Sequence, residues 1–483
     1  MSERKRIYLC LAHMSEAGLE QKYIKEAFDT NWVVPLGPNV NGFEKDLEDF
    51  VNLVSGSKLQ VASDGGSHLK PETLSKRVVA LSAGTAAVHL ALIAAGVKAG
   101  DEVIVQSFTF CASSHPITYL GAKPVFVDSE KDSWNMDPEL MEVAIKDRIA
   151  KTGKKPVAIV PVALYGMPYQ IDRIMEIANK YDIPVIEDAA EGFGSRWNGQ
   201  VLGTFGKSGV LSFNGNKMIT TSGGGALITA NEEEWREIMM YATQYRESYP
   251  YYQHEKIGFN YRMSNICAGI GRGQMTVVDD HIAHHRHVQA LYEELLKDVP
   301  GIKVHGNPDG RYDSNFWLCT ITIDPEVRIK GQENAYMTIV TGAVGGAAGV
   351  IHAAESAHTD CEPNANVEAL RVIMDQAQIE ARPLWKPMHR QPVYRRGEVS
   401  SFKFSFADVA LARDSEQVPS PLALRNVQVS GREILCETYD NSVAYVNGVS
   451  EALFKVGMCL PAGPYVSDDD VKYIVDIIKG AIV

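Results

Sequence analysis

The segment Pro184-Val185-Ile186-Glu187-Asp188-Ala189-Ala190-Glu191-Gly192 decides the fold. A short apolar run ends in carboxylates and small residues, which is typical of a buried strand that presents polar side chains at its carboxyl end. In open α/β sheets, ligands bind at that end of the strands. We therefore expect Asp188 to face a binding site.

Similar short apolar runs surround this segment between about Arg77 and Thr229, and segments with helical spacing separate them. The predicted strands are Val78–Leu81, Glu102–Val105, Pro124–Val127, Val157–Val162, Pro184–Ile186, Gly209–Phe213 and Ala226–Thr229. The predicted helices include Thr85–Ala95, Pro138–Ile149 and Gln170–Tyr181. This alternation indicates an α/β fold: an open, mostly parallel sheet with helices on both faces.

The pattern changes after Asn260. One or two helices are predicted over Ser264–Leu296, strands at Lys303–His305 and Phe316–Ile323, and a helix with a capped, acidic start over Ser467–Ile482. We predict a large domain over residues 1–280 and a smaller C-terminal α/β domain over residues 281–483. Each contains an expected surface insertion, at about residues 58–76 and 397–440 respectively.

Composition excludes several classes of protein. The chain has 483 residues, a formal net charge of -13 and an average hydrophobic content of 45%, which disfavours disordered or fibrous proteins and nucleic-acid binding. We find no apolar run long enough for a membrane helix and no signal peptide, so a cytoplasmic protein without membrane partners is expected. The seven scattered cysteines contain no Cys-x-x-Cys pair, which disfavours disulfides and structural zinc.

Lys217 lies on an irregular loop within the run Ser212–Gly225. A loop lysine is most often a solvated residue, but two other features change this interpretation. Ala83-Gly84-Thr85 joins a predicted strand to a predicted helix, where backbone amides and the Thr85 hydroxyl can hold a phosphate. A phosphate cradle, a strand-end carboxylate and a loop lysine are what a pyridoxal phosphate enzyme needs. The lysine captures the cofactor aldehyde, and the carboxylate favours protonation of the ring nitrogen.

In combination, these residues resemble the DegT/DnrJ/EryC1/StrS family of sugar-nucleotide aminotransferases, a branch of the fold type I pyridoxal phosphate enzymes. The motifs that carry the resemblance are Trp32–Pro38 followed by Phe43-Glu44, Gly100–Val105, Phe108-Thr109-Phe110, Leu164-Tyr165-Gly166, Ile186–Ala190, Ser212 five residues before Lys217, and Gly258–Ser264. The resemblance implies a fold type I large domain with a smaller C-terminal domain.

The resemblance also implies roles for individual residues. Lys217 would form the Schiff base with pyridoxal 5'-phosphate and shuttle the proton, and Asp188 would face the pyridinium nitrogen. Phe110 would stack on the ring; an ordinary core phenylalanine is the less favoured alternative. The phosphate would be held by Gly84, Thr85 and Ser212, with Asn260 reaching it from a neighbouring subunit. The last assignment implies a homodimer with shared active sites.

Two positions depart from the family pattern. Glu191 stands where many members carry histidine or glutamine; it can face the cofactor hydroxyl or the amino donor, or it can be a solvated loop end. Ala83 replaces a common serine, which removes one possible phosphate hydrogen bond. Relatives with histidine in place of the lysine are dehydratases, so the presence of Lys217 favours transamination.

The segments Thr243–Glu247 and Tyr252–Gly258 resemble the subgroup that aminates C4 of UDP-linked 4-keto-6-deoxy-N-acetylhexosamines. We therefore expect UDP-2-acetamido-2,6-dideoxy-4-hexulose as acceptor and glutamate as donor, for surface polysaccharide or glycan biosynthesis. A dTDP-4-keto-6-deoxyhexose or a 3-keto sugar is the alternative. Arg246 is a candidate contact for the diphosphate or the donor carboxylate, or else a surface arginine paired with Glu247, and His389 is a candidate substrate contact.

Two other classes of protein stay open as alternatives. The glycine-rich run Ala335–Gly349 suggests a nucleotide-dependent oxidoreductase, but its glycine spacing does not match a dinucleotide fingerprint. A catalytically silent scaffold is disfavoured because Lys217 and Asp188 occur together. No metal is expected, since the histidines lack matching carboxylate or cysteine spacing and are interpreted as solvated helix residues: His254, His284, His285 and His287.

Overall fold

The computed structural model describes residues 5–53, 76–337, 361–397, 400–405 and 433–483. Its large sheet consists of two hydrogen-bonded parts that join edge to edge. The strands are β1 (Arg77–Leu81), β2 (Glu102–Gln106), β3 (Lys123–Val127), β4 (Ala158–Val160), β5 (Ile186–Asp188), β6 (Arg196–Trp197), β7 (Gln200–Val201), β8 (Ser208–Ser212), β9 (Gly225–Thr229), β10 (Ile302–Val304), β11 (Tyr312–Asp313), β12 (Cys319–Ile323), β13 (Arg382–Pro383), β14 (Ser400–Ser405), β15 (Glu433–Thr438), β16 (Val443–Val446) and β17 (Gly457–Leu460). The helices are α1 (Leu19–Asp29), α2 (Pro38–Val51), α3 (Gly84–Ala94), α4 (His115–Tyr119), α5 (Pro138–Thr152), α6 (Ile171–Lys180), α7 (Glu232–Ala242), α8 (Asn265–Met275), α9 (Val278–Leu296), α10 (Ala365–Gln376), α11 (Val449–Val456) and α12 (Asp468–Ala481).

The large sheet is mostly parallel around its centre. One part has the strand order β1-β9-β8-β5 and the other β14-β15-β16-β3-β2-β4. Parallel bridges between Ile159 and Val185 and between Val162 and Asp188 connect β4 to β5. Strands β5 and β8, β2 and β3, and β2 and β4 are parallel, whereas β9 is antiparallel to both of its neighbours. The predicted α/β fold class is confirmed.

Alternating side chains of the sheet enter two different cores. Val78, Ala80 and Ile104 pack into one apolar cluster, with side chains from α2, α5 and α6. Val79 and Val103 point to the opposite face and pack with α3. Because both faces are buried, the strands read as continuous apolar runs, and the predicted strands therefore match the observed ones to within about two residues.

A second sheet, ordered β10-β12-β17-β13, carries its own apolar core with α9, α10 and α12. The predicted run over Ser264–Leu296 is two helices, α8 and α9. The start of α12 is the expected cap, since Ser467 and Asp470 form a reciprocal capping box. Within the described parts of the chain, no helix is long and apolar enough to cross a membrane.

Strands β14, β15 and β16 lie in the part of the chain that we predict to be the small domain, with residues 397–440 as a surface insertion. In the structure β16 pairs in parallel with β3, and the antiparallel strands β15 and β14 extend the large sheet beyond it. The reason is the apolar β16, which is fully buried and satisfies the open edge of β3. Residues 58–75 of one predicted insertion and residues 398–399 and 406–432 of the other lie outside the described residues. The predicted domain division stays a prediction.

Candidate active site

A cavity of about 440 Å³ opens where β5 and β8 end and α3 begins. This is the carboxyl edge of the sheet, where the sequence predicted a ligand. Predicted site residues from four separate parts of the chain line it: Gly84, Thr85, Phe110, Asp188, Glu191, Ser212 and Lys217. Their convergence could be expected from strand order, since the ends of neighbouring parallel strands meet at one edge.

Asp188, the last residue of β5, is held as a buried carboxylate. Its side chain accepts hydrogen bonds from the Ser113 hydroxyl at 2.6 Å and from the Ala190 backbone N–H at 3.1 Å. Ser113 is in turn 2.8 Å from the Thr109 hydroxyl. Burial raises the pKa of Asp188 above its usual range, while the Ser113 and Ala190 hydrogen bonds and the charge of Lys217 oppose that shift. The carboxylate is therefore suited to hold a cationic partner in the cavity.

The start of α3 forms the opposite end of the cavity. Ala83 caps the helix in extended conformation, and Gly84 is its first residue. The first N–H groups of a helix have no partner inside the helix, so they are available to an anion. A Cβ added to Gly84 would come within 3.1 Å of the Ser212 Cβ, and one added to Gly225 would come within 2.4 Å of the Gly84 nitrogen. Both glycines therefore keep space open around this helix start.

Lys217 lies on the loop between β8 and β9. Its N–H donates to the Asn214 carbonyl at 3.0 Å, which closes the turn that carries it. The Nζ atom lies 3.6 Å from Glu191 Oε1 and 4.0 Å from the centroid of the Trp317 ring. The side chain is 13% exposed, so Lys217 is not the solvated loop lysine of the simplest interpretation.

Glu191 is buried, which removes the alternative that it is a solvated loop end. Its Oε2 atom accepts the Tyr165 backbone N–H at 2.7 Å. Burial raises the pKa of Glu191, and the charge of Lys217 and the Tyr165 hydrogen bond oppose that rise. Asp188 and Glu191 therefore place two buried carboxyl groups around a single lysine.

Comparisons with known proteins agree on one family. Residues 72–347 match the profile of the DegT/DnrJ/EryC1/StrS aminotransferase family. EpsN of Bacillus subtilis (strain 168), whose name describes it as a pyridoxal phosphate-dependent aminotransferase, is 35% identical over 474 residues, covering 98% of this chain and 95% of EpsN. GDP-perosamine synthase of Escherichia coli O157:H7 is 30% identical over 387 residues, covering 80% of this chain and 87% of that protein.

The chain belongs to the DegT/DnrJ/EryC1/StrS aminotransferase family. It is therefore an aminotransferase that depends on pyridoxal phosphate, and the oxidoreductase and scaffold alternatives lose their support. The crystal structure of a DegT DnrJ EryC1 StrS aminotransferase from Brucella abortus has the same fold, with a TM-score of 0.69 at 23% identity, covering 96% of this chain and 95% of that chain. Most of the glycine-rich run Ala335–Gly349 lies outside the described residues.

The aminotransferase cavity fits pyridoxal phosphate. Hydroxyl and amide donors at Thr85, Ser212 and the start of α3 suit the phosphate, and Asp188 suits a protonated ring nitrogen. Trp385 lines the same cavity, and its side-chain hydrogen bond to Glu191 opposes the rise in the pKa of that carboxyl group.

Phe110 lies beside this cavity rather than in the core. It is 54% exposed, and its ring centroid is 6.2 Å from that of Trp385. The alternative of an ordinary core phenylalanine is therefore wrong. The exposed ring is available to pack against a cofactor, which remains the predicted role.

Three predicted site residues of the aminotransferase do not line the cavity of the single chain. Asn260 is exposed, and its backbone forms an isolated antiparallel β-bridge with Thr243. Arg246 is also exposed; its guanidinium lies 5.2 Å from the Tyr252 ring centroid. The His389 side chain is buried between the Ser107 hydroxyl, 2.6 Å from Nδ1, and Glu451 Oε1, 3.2 Å from Nε2. Its role as a substrate contact stays a prediction.

The histidines also differ from the expectation in one respect. His285 is fully buried instead of solvated, and burial lowers its pKa to about 3. His287 contacts Asp468, and His284 contacts the Val466 carbonyl. Over the described ranges, no group of three or more histidine, cysteine, aspartate or glutamate side chains is arranged to hold a metal ion.

Sequence reasoning missed four residues of the site: Thr109, Ser113, Trp317 and Trp385. Thr109 falls inside the quoted motif Phe108-Thr109-Phe110, but nothing in the motif indicates its contact with Ser113. Trp317 is a hundred residues from Lys217 along the chain, within a predicted strand. Only the folded chain shows that its ring faces the lysine.

Proposed function

We propose that the chain transfers an amino group from glutamate to C4 of a nucleotide-linked 4-keto-6-deoxy sugar, with UDP-2-acetamido-2,6-dideoxy-4-hexulose as the acceptor. The observation that carries the proposal is the convergence of Lys217, the buried Asp188 and the open start of α3 in one cavity. The aminated sugar nucleotide would serve as a precursor for a surface polysaccharide or another glycan.

Each group of this chain has a distinct task in the proposed reaction. Bound pyridoxal phosphate supplies a cationic ring that accepts the electron pair left when a proton departs from the substrate carbon. The amides at Gly84 and Thr85 and the Ser212 hydroxyl bind the phosphate and fix the position of the ring. Asp188 holds a proton on the ring nitrogen. Lys217 Nζ takes the proton from the substrate carbon in the first half-reaction and returns one in the second.

Glu191 has a supporting role in this proposal. Its carboxylate is 3.6 Å from Lys217 Nζ and its position is fixed by the Tyr165 N–H. We assign it to the cofactor-binding set, because a buried carboxyl group at this distance compensates positive charge on the amine and can accept a hydrogen bond from the cofactor hydroxyl.

A homodimer with shared active sites is part of the same proposal. Asn260 and Arg246 do not line the cavity of their own chain, and both are exposed. Exposed apolar side chains at the end of α1 and on its connection to α2 support a partner surface; they are Phe28, Trp32, Val33 and Leu36. In the dimer, Asn260 would complete the phosphate site of the partner, and Arg246 would bind the diphosphate of the sugar nucleotide or the carboxylate of the donor.

The nucleotide has a second candidate. GDP-perosamine synthase of E. coli O157:H7 is 30% identical to this chain, and its name gives a GDP-linked product. A GDP-linked 4-keto-6-deoxyhexose is therefore the alternative acceptor. A panel of UDP-, GDP- and dTDP-linked 4-keto sugars, with mass detection of the aminated product, separates these candidates. If only GDP-linked sugars react, the UDP assignment is wrong and the aminotransferase assignment stands.

The absorbance spectrum of the purified protein tests the role of Lys217. We expect a visible band with pyridoxal phosphate that shifts on addition of glutamate and is absent from Lys217→Ala. Lys207→Ala is the matched control, because Lys207 is an exposed lysine whose Nζ bonds to the Ala94 carbonyl. A band that survives in Lys217→Ala, or is lost equally in both variants, would contradict the assignment.

A further inference from the structure

A strained turn lies beside the lysine of the cavity. It comprises Asn315, Phe316 and Trp317 and connects β11 to β12; we call it the 315–317 turn. Phe316 has a φ of 48°, in the left-handed region that a bulky side chain rarely adopts. Such strain persists only where surrounding contacts enforce it, and it is concentrated at functional sites.

Buried hydrogen bonds enforce the shape of the 315–317 turn. The Trp317 backbone N–H donates to Asn315 Oδ1 at 2.8 Å. His285 Nδ1 is 3.1 Å from the Phe316 carbonyl, and since a carbonyl only accepts, Nδ1 carries the hydrogen. A Cβ on Gly166 would lie 1.9 Å from Asn315 Oδ1, so the facing turn must have glycine there for Asn315 to fit.

The turn makes direct contact with both partners of the Lys217–Glu191 pair. Asn315 Nδ2 donates to the backbone carbonyls of Glu191 and Phe193, each at 2.9 Å. Trp317 Nε1–H donates to the Asn216 carbonyl at 2.6 Å, one residue before the lysine. The Trp317 ring, itself 2% exposed, lies 4.0 Å from Lys217 Nζ.

We propose that the 315–317 turn is the positioning element of the active site and that Trp317 is the positioning residue for Lys217. The indole face at 4.0 Å and the Glu191 carboxylate at 3.6 Å both attract the amine, so Nζ is held in the cavity instead of rotating into the solvent. The indole N–H fixes the loop that carries the lysine, and Asn315 fixes the backbone that carries Glu191. This inference depends on the proposed role of Lys217.

A purely structural role predicts a different outcome. If Trp317 only fills space, any apolar substitution that leaves the protein folded should leave cofactor loading unchanged. If it positions the amine, loading should depend on an aromatic face and on an indole N–H at this position. The two explanations therefore separate in variants that remove these features one at a time.

The experiment compares Trp317→Phe, which keeps an aromatic face without the N–H, with Trp317→Leu, which has neither. Cofactor-free protein is mixed with pyridoxal phosphate, and the second-order rate of appearance of the visible band and the dissociation constant are measured. We expect loading to slow a few-fold in Trp317→Phe and about tenfold or more in Trp317→Leu. In the loaded enzyme, kcat should fall in the same order, with KM for glutamate changing less than about twofold, because the turn acts on the lysine.

Trp197→Phe is the matched control, because Trp197 is also fully buried and its indole N–H donates to Asp172 at 3.0 Å. It should load like the wild type. Loading of folded Trp317→Leu at the wild-type rate would overturn the proposal, as would equal rates in Trp317→Phe and Trp317→Leu. Should Trp317→Leu fail to fold, a wild-type rate in Trp317→Phe would also overturn it. Absence of the band from the wild type would instead refute the proposed function.

Discussion

The substitution Ser113→Ala tests the electrostatics of Asp188. It removes the hydroxyl that donates to Asp188 at 2.6 Å and leaves the Ala190 N–H at 3.1 Å as the remaining donor. Asp188 is 4% exposed, so water does not readily replace the lost hydroxyl. Burial already raises the pKa of Asp188, and the Ser113 hydrogen bond opposes that rise. Removal of the hydroxyl should therefore raise the pKa further.

The size of the shift follows from the energy of the lost interaction. A hydrogen bond to a charged group contributes roughly 1.5–3 kcal/mol, and one pKa unit corresponds to about 1.4 kcal/mol. The pKa of Asp188 should therefore rise by about one to two units in the free enzyme. The proposed mechanism requires the ionised carboxylate, so the acidic limb of the pH profile of kcat/KM should move to higher pH by the same amount, while the plateau at higher pH is retained.

The assay is kcat/KM with glutamate from pH 5 to pH 9 for the wild type, Ser113→Ala and Ser114→Ala. Ser114 is the matched control, because its hydroxyl bonds to the Cys111 carbonyl and the Tyr394 hydroxyl instead of to Asp188. Ser114→Ala should keep the wild-type acidic limb. An unshifted limb in Ser113→Ala, or a uniform loss of activity at all pH values, would refute the reasoning about Asp188.

Two further predictions concern the framework of the site. Gly225→Ala would place its Cβ 2.4 Å from the Gly84 nitrogen, so the start of α3 must move; we expect a loss of about 1–3 kcal/mol in chemical denaturation and weaker binding of pyridoxal phosphate. Gly480→Ala, a helical position with no atom within 4 Å of the added Cβ, should cause neither loss. His285 should make stability depend on pH, because burial lowers its pKa from 6.5 to about 3 and the unfolded chain then binds a proton that the folded chain does not. The free energy of unfolding should therefore fall as the pH drops from about 6.5 towards 4, and His285→Asn, which can still donate to Phe316, should reduce that slope by up to about 1.4 kcal/mol per pH unit. An unchanged slope in His285→Asn would contradict the assignment of a neutral, buried histidine.

The central strands could be predicted because the local sequence pattern of each strand indicates that it is buried. Strands such as β2 and β8 are covered on both faces, so each appears as a short apolar run between turn residues. The pairing of β16 with β3 could not be predicted in the same way. These strands are more than 300 residues apart, and nothing in either run specifies its partner. The sequence therefore did not predict that β14 and β15 extend the large sheet.

For the active site, too, the sequence predicted local features but not contacts between distant residues. Asp188 and the start of α3 could be predicted, because strand ends and helix starts have fixed positions in an open sheet. The surroundings of His389 could not be predicted, since nothing in the sequence indicates that its ring is enclosed by Ser107 and Glu451. Ser113 and Trp317 act through contacts with distant residues, and no local pattern marks them.

The charges of the cavity explain why its two carboxylates are compatible with one lysine. Burial raises the pKa of both Asp188 and Glu191, and for Glu191 the neighbouring charge of Asp188 adds to that rise. Lys217 alone cannot fully compensate two buried negative charges. Pyridoxal phosphate bound as proposed, with its protonated ring nitrogen beside Asp188, would supply a second positive charge. The charges of the cavity are therefore better balanced when such a ligand is bound. The protein should gain more stability from pyridoxal phosphate than from inorganic phosphate, which would bind only at the start of α3.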